Sequence, residues 1–268
     1  MTLRNGPLPN DGDPLVAASV VDSFNILADR DYLLFQGLYG VMGSDLVASC
    51  SDGANIVINT QGAIRSSSRV LSGNLSPIDI VAVLGTTPDA NTWYYVYGAD
   101  VGGTLTAVIT KDAPEQTLKY RNGNADQVFL TMFYTDGSGV PLDYTQTGRR
   151  YVYFNPPVLV NLSSSTSLNQ ITLAAVPNFP QKLMIAHLFV RCDNSSSGIR
   201  SITVVPHGFV PPAFGGYELR TGPSSNPGTA DSINSGDPGV AIVGQDGFDY
   251  QLDGANAQAT IKLMGFTF

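Results

Sequence analysis

From residue 45 onward the chain repeats one pattern, in which short apolar runs of period two end at turn residues. Turn signals follow one another about every 8–12 residues, the spacing found in antiparallel sandwiches and barrels. The strongest strand candidates are residues 56–59, 78–84, 92–97, 127–134 and 259–268. The pattern predicts an all-β, antiparallel, sandwich or jelly-roll-like fold of one or two units.

The types of charged residue support this fold class. Of 22 acidic residues only Glu115 and Glu218 are Glu, and of 14 basic residues only four are Lys. Glu and Lys favour solvated helix faces, whereas Asp, Asn, Ser and Gly favour turns. The net charge of -8 disfavours nucleic-acid binding, because phosphate contacts need clustered Lys and Arg. No apolar stretch is long enough to span a membrane and no signal peptide is evident, so we expect synthesis in the cytoplasm without membrane insertion.

Residues 1–45 follow a different pattern. Asp13 and Pro14 resemble an N-cap followed by proline at the first helical position. A helix is predicted over about residues 14–30, with apolar residues recurring at helical spacing. These candidate docking residues are Leu15, Val16, Val20, Phe24 and Leu27. Two interpretations remain open: a helix that packs on its own domain, and a segment that docks onto another subunit.

The remaining chain divides at Asn155-Pro156-Pro157, because paired prolines interrupt a sheet. We therefore predict one β unit over residues 46–155 and another over 156–268, with a single continuous sandwich as the alternative. Residues 206–239 are rich in Pro, Gly, Ser and Asn, which predicts a long loop with a functional or intersubunit role.

Few residues are suited to acid–base or nucleophilic catalysis. The two histidines are His187, for which a structural role is predicted, and His207, which lies within the predicted long loop. A Ser-His-Asp site around His207 is conceivable, but Ser and Asp are so abundant that chance proximity explains it better. No G-x-S-x-G nucleophile elbow is present. Cys50 and Cys192 lack metal-ligand spacing, so buried free thiols are favoured over a disulfide.

The densest group of carboxylates is Asp246, Asp249 and Asp253. On an extended strand, Asp246 and Asp249 point to opposite faces and Asp249 and Asp253 lie far apart. This spacing favours turn solvation over a Ca²⁺ site or the paired carboxylates of a glycosidase. No nucleotide-binding or zinc motif is present either, so we predict a protein without cofactor or metal that is not an enzyme.

An aromatic face is the main binding candidate. Trp93, Tyr95 and Tyr97 share one face of a predicted strand, and Tyr151 and Tyr153 share one face of another. One face of each strand must belong to the core. The other is either a subunit interface or a platform on which sugar rings stack, because aromatic residues favour both settings.

The aromatic strand also carries a family resemblance. Its sequence is Asn91-Thr92-Trp93-Tyr94-Tyr95-Val96-Tyr97, and it precedes Thr110-Lys111-Asp112-Ala113-Pro114 and a strand that closes with Thr135-Asp136-Gly137-Ser138-Gly139. This arrangement resembles a β-rich module of tailed-bacteriophage virion proteins of the tail-fibre, adhesin and decoration type. The resemblance covers about residues 90–190.

The resemblance implies a non-enzymatic structural component of the virion, attached to capsid or tail and made in the host cytoplasm. Its partners are expected to be other virion proteins and further copies of itself, with a homotrimer suggested by analogy. A receptor-binding adhesin that recognises a host surface glycan is the alternative. A surface-polysaccharide depolymerase is the least favoured of the three.

Overall fold

The computed structural model describes residues 47–59, 63–65, 70–72, 75–115, 118, 120–177, 179, 183–209, 217–226, 232–243 and 246–268. The predicted helix over residues 14–30 and its docking residues Leu15, Val16, Val20, Phe24 and Leu27 lie outside these ranges. Within them, strands make up nearly all regular structure and one short helix is present. The prediction of an all-β, antiparallel, sandwich-like fold is confirmed. No helix among the described residues is long and apolar enough to cross a membrane.

The first half of the described chain contains eleven strands and the helix. They are β1 (Val47–Cys50), β2 (Asn55–Asn59), β3 (Ala63–Arg65), β4 (Val70–Ser72), β5 (Ile78–Asp79), α1 (Ile80–Leu84), β6 (Trp93–Val101), β7 (Thr104–Thr110), β8 (Tyr120–Arg121), β9 (Asn124–Tyr134), β10 (Tyr144–Thr147) and β11 (Arg150–Tyr153).

The second half contains nine strands. They are β12 (Val158–Ser163), β13 (Asn169–Ile171), β14 (Leu183–Asn194), β15 (Arg200–Pro206), β16 (Tyr217–Thr221), β17 (Ser232–Gly236), β18 (Gly239–Val243), β19 (Phe248–Leu252) and β20 (Ala257–Thr267).

One layer of the sandwich is a ten-stranded sheet. Its main path runs β17-β14-β20-β11-β10-β1-β2-β5, with β12 paired to β20 and β18 paired to β14. The strands before and after Pro156 share this sheet, because β11 pairs with β20 at Tyr151–Phe266 and at Val152–Gly265. At Gly265 a Cβ atom would lie 2.0 Å from the Tyr151 carbonyl oxygen, so the two backbones approach too closely for any side chain.

The second layer consists of two four-stranded sheets that cover the inner face of the ten-stranded sheet. The aromatic sheet has the order β7-β6-β9-β8, and the C-terminal sheet has the order β13-β19-β15-β16. Trp93 of the aromatic sheet meets Tyr151 and Phe266, with ring centroids 6.0 Å apart in each pair. The C-terminal sheet packs against β14 and β20. β3 and β4 form a separate two-stranded hairpin.

The inner face of the ten-stranded sheet supplies much of the core. Residues that pair across the sheet form a buried row that runs through strands from both halves of the chain. This row is Ile58, Ala48, Gln146, Tyr151, Phe266, Ala186 and Val240. Apart from Gln146, which accepts a hydrogen bond from the Thr131 hydroxyl, the row is apolar or aromatic, and burial of such surface is the dominant favourable contribution to folding.

Two sequence predictions fail locally. Residues 78–84 are not one strand, because β5 ends at Asp79 and α1 follows. The Asp79 carboxylate caps the helix by accepting a hydrogen bond from the Ala82 amide at 2.9 Å, and Gly85 ends it with a φ of 72°. Residues 206–239 are not a continuous loop, since they contain β16 and β17. Polar, turn-like composition concealed both strands.

Candidate functional site

The predicted aromatic surface lies in the interior. The side chains in question are Trp93, Tyr95, Tyr97, Tyr151 and Tyr153, and all are buried. A ring without an accessible face offers nothing to a sugar or to another subunit, so the prediction of an exposed platform or interface at these residues is wrong. Tyr94 and Val96, on the opposite face of β6, are buried as well. Both faces of this strand therefore belong to the core.

These rings pack the two layers together. Tyr151 is stacked between Tyr144 and Phe266, with centroid separations of 4.6 and 4.8 Å. The Trp93 indole nitrogen donates a hydrogen bond to the Ala174 carbonyl at 2.9 Å. The Tyr153 hydroxyl donates to a main-chain carbonyl, whereas the Tyr151 hydroxyl has no hydrogen-bond partner among the described residues. Burial raises the pKa of Tyr151 and that of Tyr153 well above the ordinary value.

The two histidines occupy unrelated positions. His187 lies on the solvent side of β14, where its Nε2 atom is 2.8 Å from the Thr267 hydroxyl. Partial burial, together with the charge of Arg150, lowers the pKa of His187. The contact with Thr267 links neighbouring strands, which is consistent with the structural role expected for this residue.

Among the described residues, His207 and Asp249 form an arrangement with recognisable acid–base geometry. His207 Nδ1 is 2.9 Å from one Asp249 carboxylate oxygen, and the Gly208 amide donates to the other at 3.1 Å. The Asp249 side chain is 6% exposed and that of His207 is 40% exposed. A carboxylate at Nδ1 orients an imidazole and leaves Nε2 turned away as the basic nitrogen. Among the described residues no hydroxyl or thiol is hydrogen-bonded to His207, so they supply no nucleophile for a triad.

The carboxylates of Asp246, Asp249 and Asp253 do not converge on one site, as their spacing predicts. Asp249 pairs with His207, Asp253 accepts a hydrogen bond from the Ser201 hydroxyl at 3.2 Å, and Asp246 uses its main-chain carbonyl to accept from Gln170. Within the described ranges no group of three or more His, Cys, Asp or Glu side chains is arranged to hold a metal ion. Cys50 and Cys192 are free, buried thiols, as predicted.

One surface that these side chains leave unexplained is the outer face of the ten-stranded sheet, the side turned away from both four-stranded sheets. Cross-strand pairing defines its residues. One row is Val57, Ser49, Thr145, Val152, Gly265, His187 and Gly239; the next is Val47, Thr147, Arg150, Thr267, Ile185 and Ala241. A third row is Val158, Lys262 and Phe189. These residues lie on one side because paired residues share a face and successive residues alternate.

This outer face carries well-exposed aliphatic side chains among its polar residues. Leu183 is 65% exposed, Val158 55%, Val57 48% and Ile185 43%. The C-terminal sheet provides a contrast within the same molecule, since the solvent-accessible residues on its outer side include Thr203, Glu218, Arg220 and Gln251. An antiparallel sheet with one solvated face is expected to be polar on that face. The apolar outer face is therefore a candidate binding surface.

The outer face is also positively charged, in contrast to the chain as a whole. It carries Arg150, Lys262 and Arg191, and its described strands also carry the carboxylates of Asp193 on β14 and of Asp79 on the edge strand β5. Asp193 is buried and is held by Arg191, with 2.6 Å between the guanidinium nitrogen and the carboxylate oxygen. Arg150 and Lys262 are left to favour a partner with negative charge.

The sequence contains a signal for this surface that alternation alone does not reveal. β14 reads Leu-Met-Ile-Ala-His-Leu-Phe-Val-Arg-Cys over residues 183–192, an almost unbroken apolar run. Strands of this kind are typical of sheets covered on both faces. In the described structure only one side of β14 is covered, the side that contains Met184, Ala186 and Leu188.

Comparisons with known proteins do not assign this surface. No family model and no curated protein matches the chain. Among solved structures, an exo-β-1,3-galactanase from Phanerochaete chrysosporium, determined with galactose, shares 11% sequence identity. The match covers 83% of this chain and 67% of the galactanase chain, with a TM-score of 0.22. A similarity this low carries no argument about fold or activity.

Proposed function

We propose that this chain is a non-enzymatic structural protein of a tailed-bacteriophage virion, attached to capsid or tail and assembled as a homo-oligomer. The observation that supports the proposal is the apolar, positively charged outer face of the ten-stranded sheet. The virion assignment itself comes from the resemblance over residues 90–190. The residues of that resemblance include Trp93, Tyr95 and Tyr97, which act as packing residues between two layers.

The chemistry of the outer face suits assembly. Complete burial of a Leu or Ile side chain contributes roughly 1.5–3 kcal/mol. Because Leu183 is 65% and Ile185 43% exposed, covering both favours association by about 2–3 kcal/mol before its entropic cost. Arg150 and Lys262 add orientation, because charges in an interface favour one register of the partner over others. A closed ring of subunits would cover this face in every copy, and a trimer is the first expectation by analogy.

The imidazole of His207, which Asp249 orients, is the observation that favours an alternative function, a polysaccharide depolymerase. Asp249 holds its Nδ1 atom, which resembles the base of a hydrolase, and a polysaccharide depolymerase would need such a group. A His207→Ala variant that retains all hydrolytic activity of the wild-type protein on host envelope polysaccharide excludes this role. A receptor-binding adhesin would need a glycan site outside the buried aromatic residues.

The test of the structural role is the molar mass of the purified protein by light scattering over a range of concentrations. We expect a stable multiple of 28.4 kDa. The variant Ile185→Glu introduces a charge among the exposed aliphatic side chains of β14 on the outer face and should shift the protein to the monomer. Thr203→Glu, on the solvent side of the C-terminal sheet, is the matched control and should leave the mass unchanged.

A wild-type monomer at all concentrations would contradict self-assembly. Immunolabelling of purified particles tests the virion assignment separately, and the expected result is label at a fixed position on capsid or tail. Particles without label would contradict the assignment even if the protein is an oligomer in solution.

A further inference from the structure

We propose that the edge strand β18 pairs with β18 of a second copy about a twofold axis, so that the ten-stranded sheets of two subunits join into one continuous sheet. The inference rests on the proposed function, because it requires self-association, and it specifies one contact of the homo-oligomer. The observation behind it is an uncharged strand edge, open on one side, next to exposed aliphatic side chains of β14.

β18 is paired along one side only. Gly239–Val243 pairs antiparallel with residues 183–187 of β14, and the register has no shift. In the part of the chain that the structure describes, no second strand pairs with β18. Gly239 and Ala241 are exposed. A row of unpaired amide and carbonyl groups of this kind is a template for another strand.

The register shows which main-chain groups lie on the open side. The Leu188 amide donates to the Pro238 carbonyl at 2.9 Å, so these two residues form a hydrogen-bonded pair. Hydrogen-bonded and non-hydrogen-bonded pairs alternate along an antiparallel ladder. The main-chain groups of every second residue therefore face β14. The residues between them, whose amide and carbonyl groups point to the open side, are Gly239, Ala241 and Val243.

The other strand edges in the described structure are protected. β5 and β8 have two residues each, and β3, β4 and β13 have three each. β12 has two register shifts in its pairing with β20, and α1 packs against β7. β16 carries Glu218 and Arg220 and lies against β17. Short strands, irregular pairing, charges and covering elements are the features by which proteins prevent edge-to-edge association.

β18 lacks these protective features. Its five residues read Gly-Val-Ala-Ile-Val, with regular pairing and neither a charge nor a proline. β15 also contacts β18, but it belongs to the layer beneath the sheet and is not paired with this edge. Uncharged segments of high β-propensity are those that self-associate as strands. The occupant that such an edge fits best is therefore an identical strand.

A twofold axis through Ala241 uses the whole strand. It places Ala241 opposite Ala241 of the second copy, and Gly239 opposite Val243 of the second copy. All three residues with outward-pointing groups then fall in hydrogen-bonded pairs, which gives about six hydrogen bonds at two per pair. Any other twofold register leaves part of β18 unpaired. The contact is isologous, as most homo-oligomer contacts are.

Side chains next to the edge add apolar contact. On the outer face Ile185 is paired with Ala241 and extends over Gly239, where a Cβ atom would lie 3.0 Å from its Cγ2 atom. Val240 and Ile242 are buried on the inner face. A second β18 strand would extend both faces of the sheet and shield Ile185, which is 43% exposed. Hydrogen bonding and apolar burial thus favour the same arrangement.

The single substitution Ala241→Cys in the full-length protein tests the register. Residues in a hydrogen-bonded antiparallel pair have Cα atoms about 5.5 Å apart, which is within the range of a disulfide. Oxidised glutathione is the oxidant: two protein thiols form one disulfide, and glutathione is reduced to two thiols. The native thiols of Cys50 and Cys192 are buried and do not compete.

Leu183→Cys is the matched control. Residue 183 is 65% exposed and lies on the strand next to β18. Across the proposed axis, the two copies of residue 183 are at least three strand spacings apart, or about 14 Å, which no disulfide spans. We expect at least tenfold more disulfide-linked dimer for Ala241→Cys than for Leu183→Cys on a non-reducing gel. Equal yields would overturn the inference, because they would indicate random collision or another contact.

Light scattering of Ala241→Pro and Ala241→Thr provides an independent measurement. Proline removes the amide that points to the open side, whereas the ladder with β14 uses Val240 and Ile242 and is kept. Threonine keeps the amide and is the control. We expect an even multiple of 28.4 kDa for the wild type and for Ala241→Thr, and half that mass for Ala241→Pro.

The outcomes separate this contact from the proposed function. A wild-type oligomer with an odd number of subunits, or one whose mass Ala241→Pro leaves unchanged, would overturn the edge contact and leave the proposed assembly intact. A wild-type monomer at all concentrations would contradict the proposed assembly and this contact together.

Discussion

Replacing Tyr151 by Phe is expected to stabilise the protein, although Tyr151 is among its most buried side chains. The ring is stacked between Tyr144 and Phe266, and the substitution leaves that stacking in place. Only the hydroxyl is removed, and this hydroxyl has no hydrogen-bond partner among the described residues. A buried polar group without a partner loses its hydration and gains nothing in return.

The magnitude follows from two opposing effects. Leaving a buried hydroxyl unpaired costs about 1–3 kcal/mol relative to the unfolded chain, and Tyr151→Phe removes this cost. The void left by the missing oxygen atom lowers the free energy of unfolding by a few tenths of a kcal/mol, at about 24 cal/mol per Å³ of cavity. We therefore expect the free energy of unfolding to rise by about 1 kcal/mol, or about 2–4 °C in Tm for a protein of this size.

Tyr153→Phe is the matched control, since Tyr153 is equally buried and lies two residues away on the same face. Its hydroxyl donates a hydrogen bond to the Ala175 carbonyl, at 2.5 Å between the oxygens. Loss of this bond leaves a buried carbonyl unpaired, so we expect a decrease of about 1–2 kcal/mol. The assay is equilibrium urea unfolding of both variants and the wild type at one protein concentration, with Trp93 fluorescence as the signal.

The reasoning is refuted if Tyr151→Phe destabilises the protein as much as Tyr153→Phe does. That result would mean that the Tyr151 hydroxyl is hydrogen-bonded in solution, as it would be by an internal water. A change below about 0.3 kcal/mol in both variants would refute the assumption that these hydroxyls differ.

Three other predictions concern the scaffold. Gly265→Ala should destabilise the protein by more than about 2 kcal/mol in urea unfolding, because its Cβ would lie 2.0 Å from the Tyr151 carbonyl oxygen. Burial raises the pKa of the Cys192 thiol to about 11, so Cys192 should resist labelling by thiol reagents at pH 8 until urea unfolds the protein. Hydrogen bonds from Asn55 hold the pKa of Asp52 at about 2, below its value of about 4 in unfolded chains. The stabilisation is therefore complete above about pH 4 and is lost as the pH falls towards 2, and Asp52→Asn should flatten the stability–pH curve in that interval.

Alternation along the chain was sufficient to predict most strands. Residues 92–97, 127–134 and 259–268 were predicted as strands and correspond to parts of β6, β9 and β20. Alternation is a property of a single strand, so it can be recognised in the sequence without knowing which strand pairs with it. The strand predicted over residues 78–84 is wrong for another local reason. Asp79 caps a helix and Gly85 ends it, and these two signals outweigh the strand preference of the β-branched residues between them.

The functional interpretation of the aromatic residues failed because sequence periodicity assigns side chains to faces without saying what covers each face. Trp93, Tyr95 and Tyr97 do share a face, but Tyr151 and Phe266 of another sheet fill the space beyond Trp93. The pairing of His207 with Asp249 was equally inaccessible, since 42 positions separate the two residues in sequence.

The sequence by itself determined the fold class, the small share of helix among the described residues, the burial of both cysteines and the divergence of the acidic cluster. Each depends on residue type or on spacing within one strand. Only the tertiary structure decided which sheet faces are covered, because this depends on how the two layers pack. That packing buries the aromatic rings of β6 and β11 and leaves the side of Leu183, Ile185 and Arg150 open.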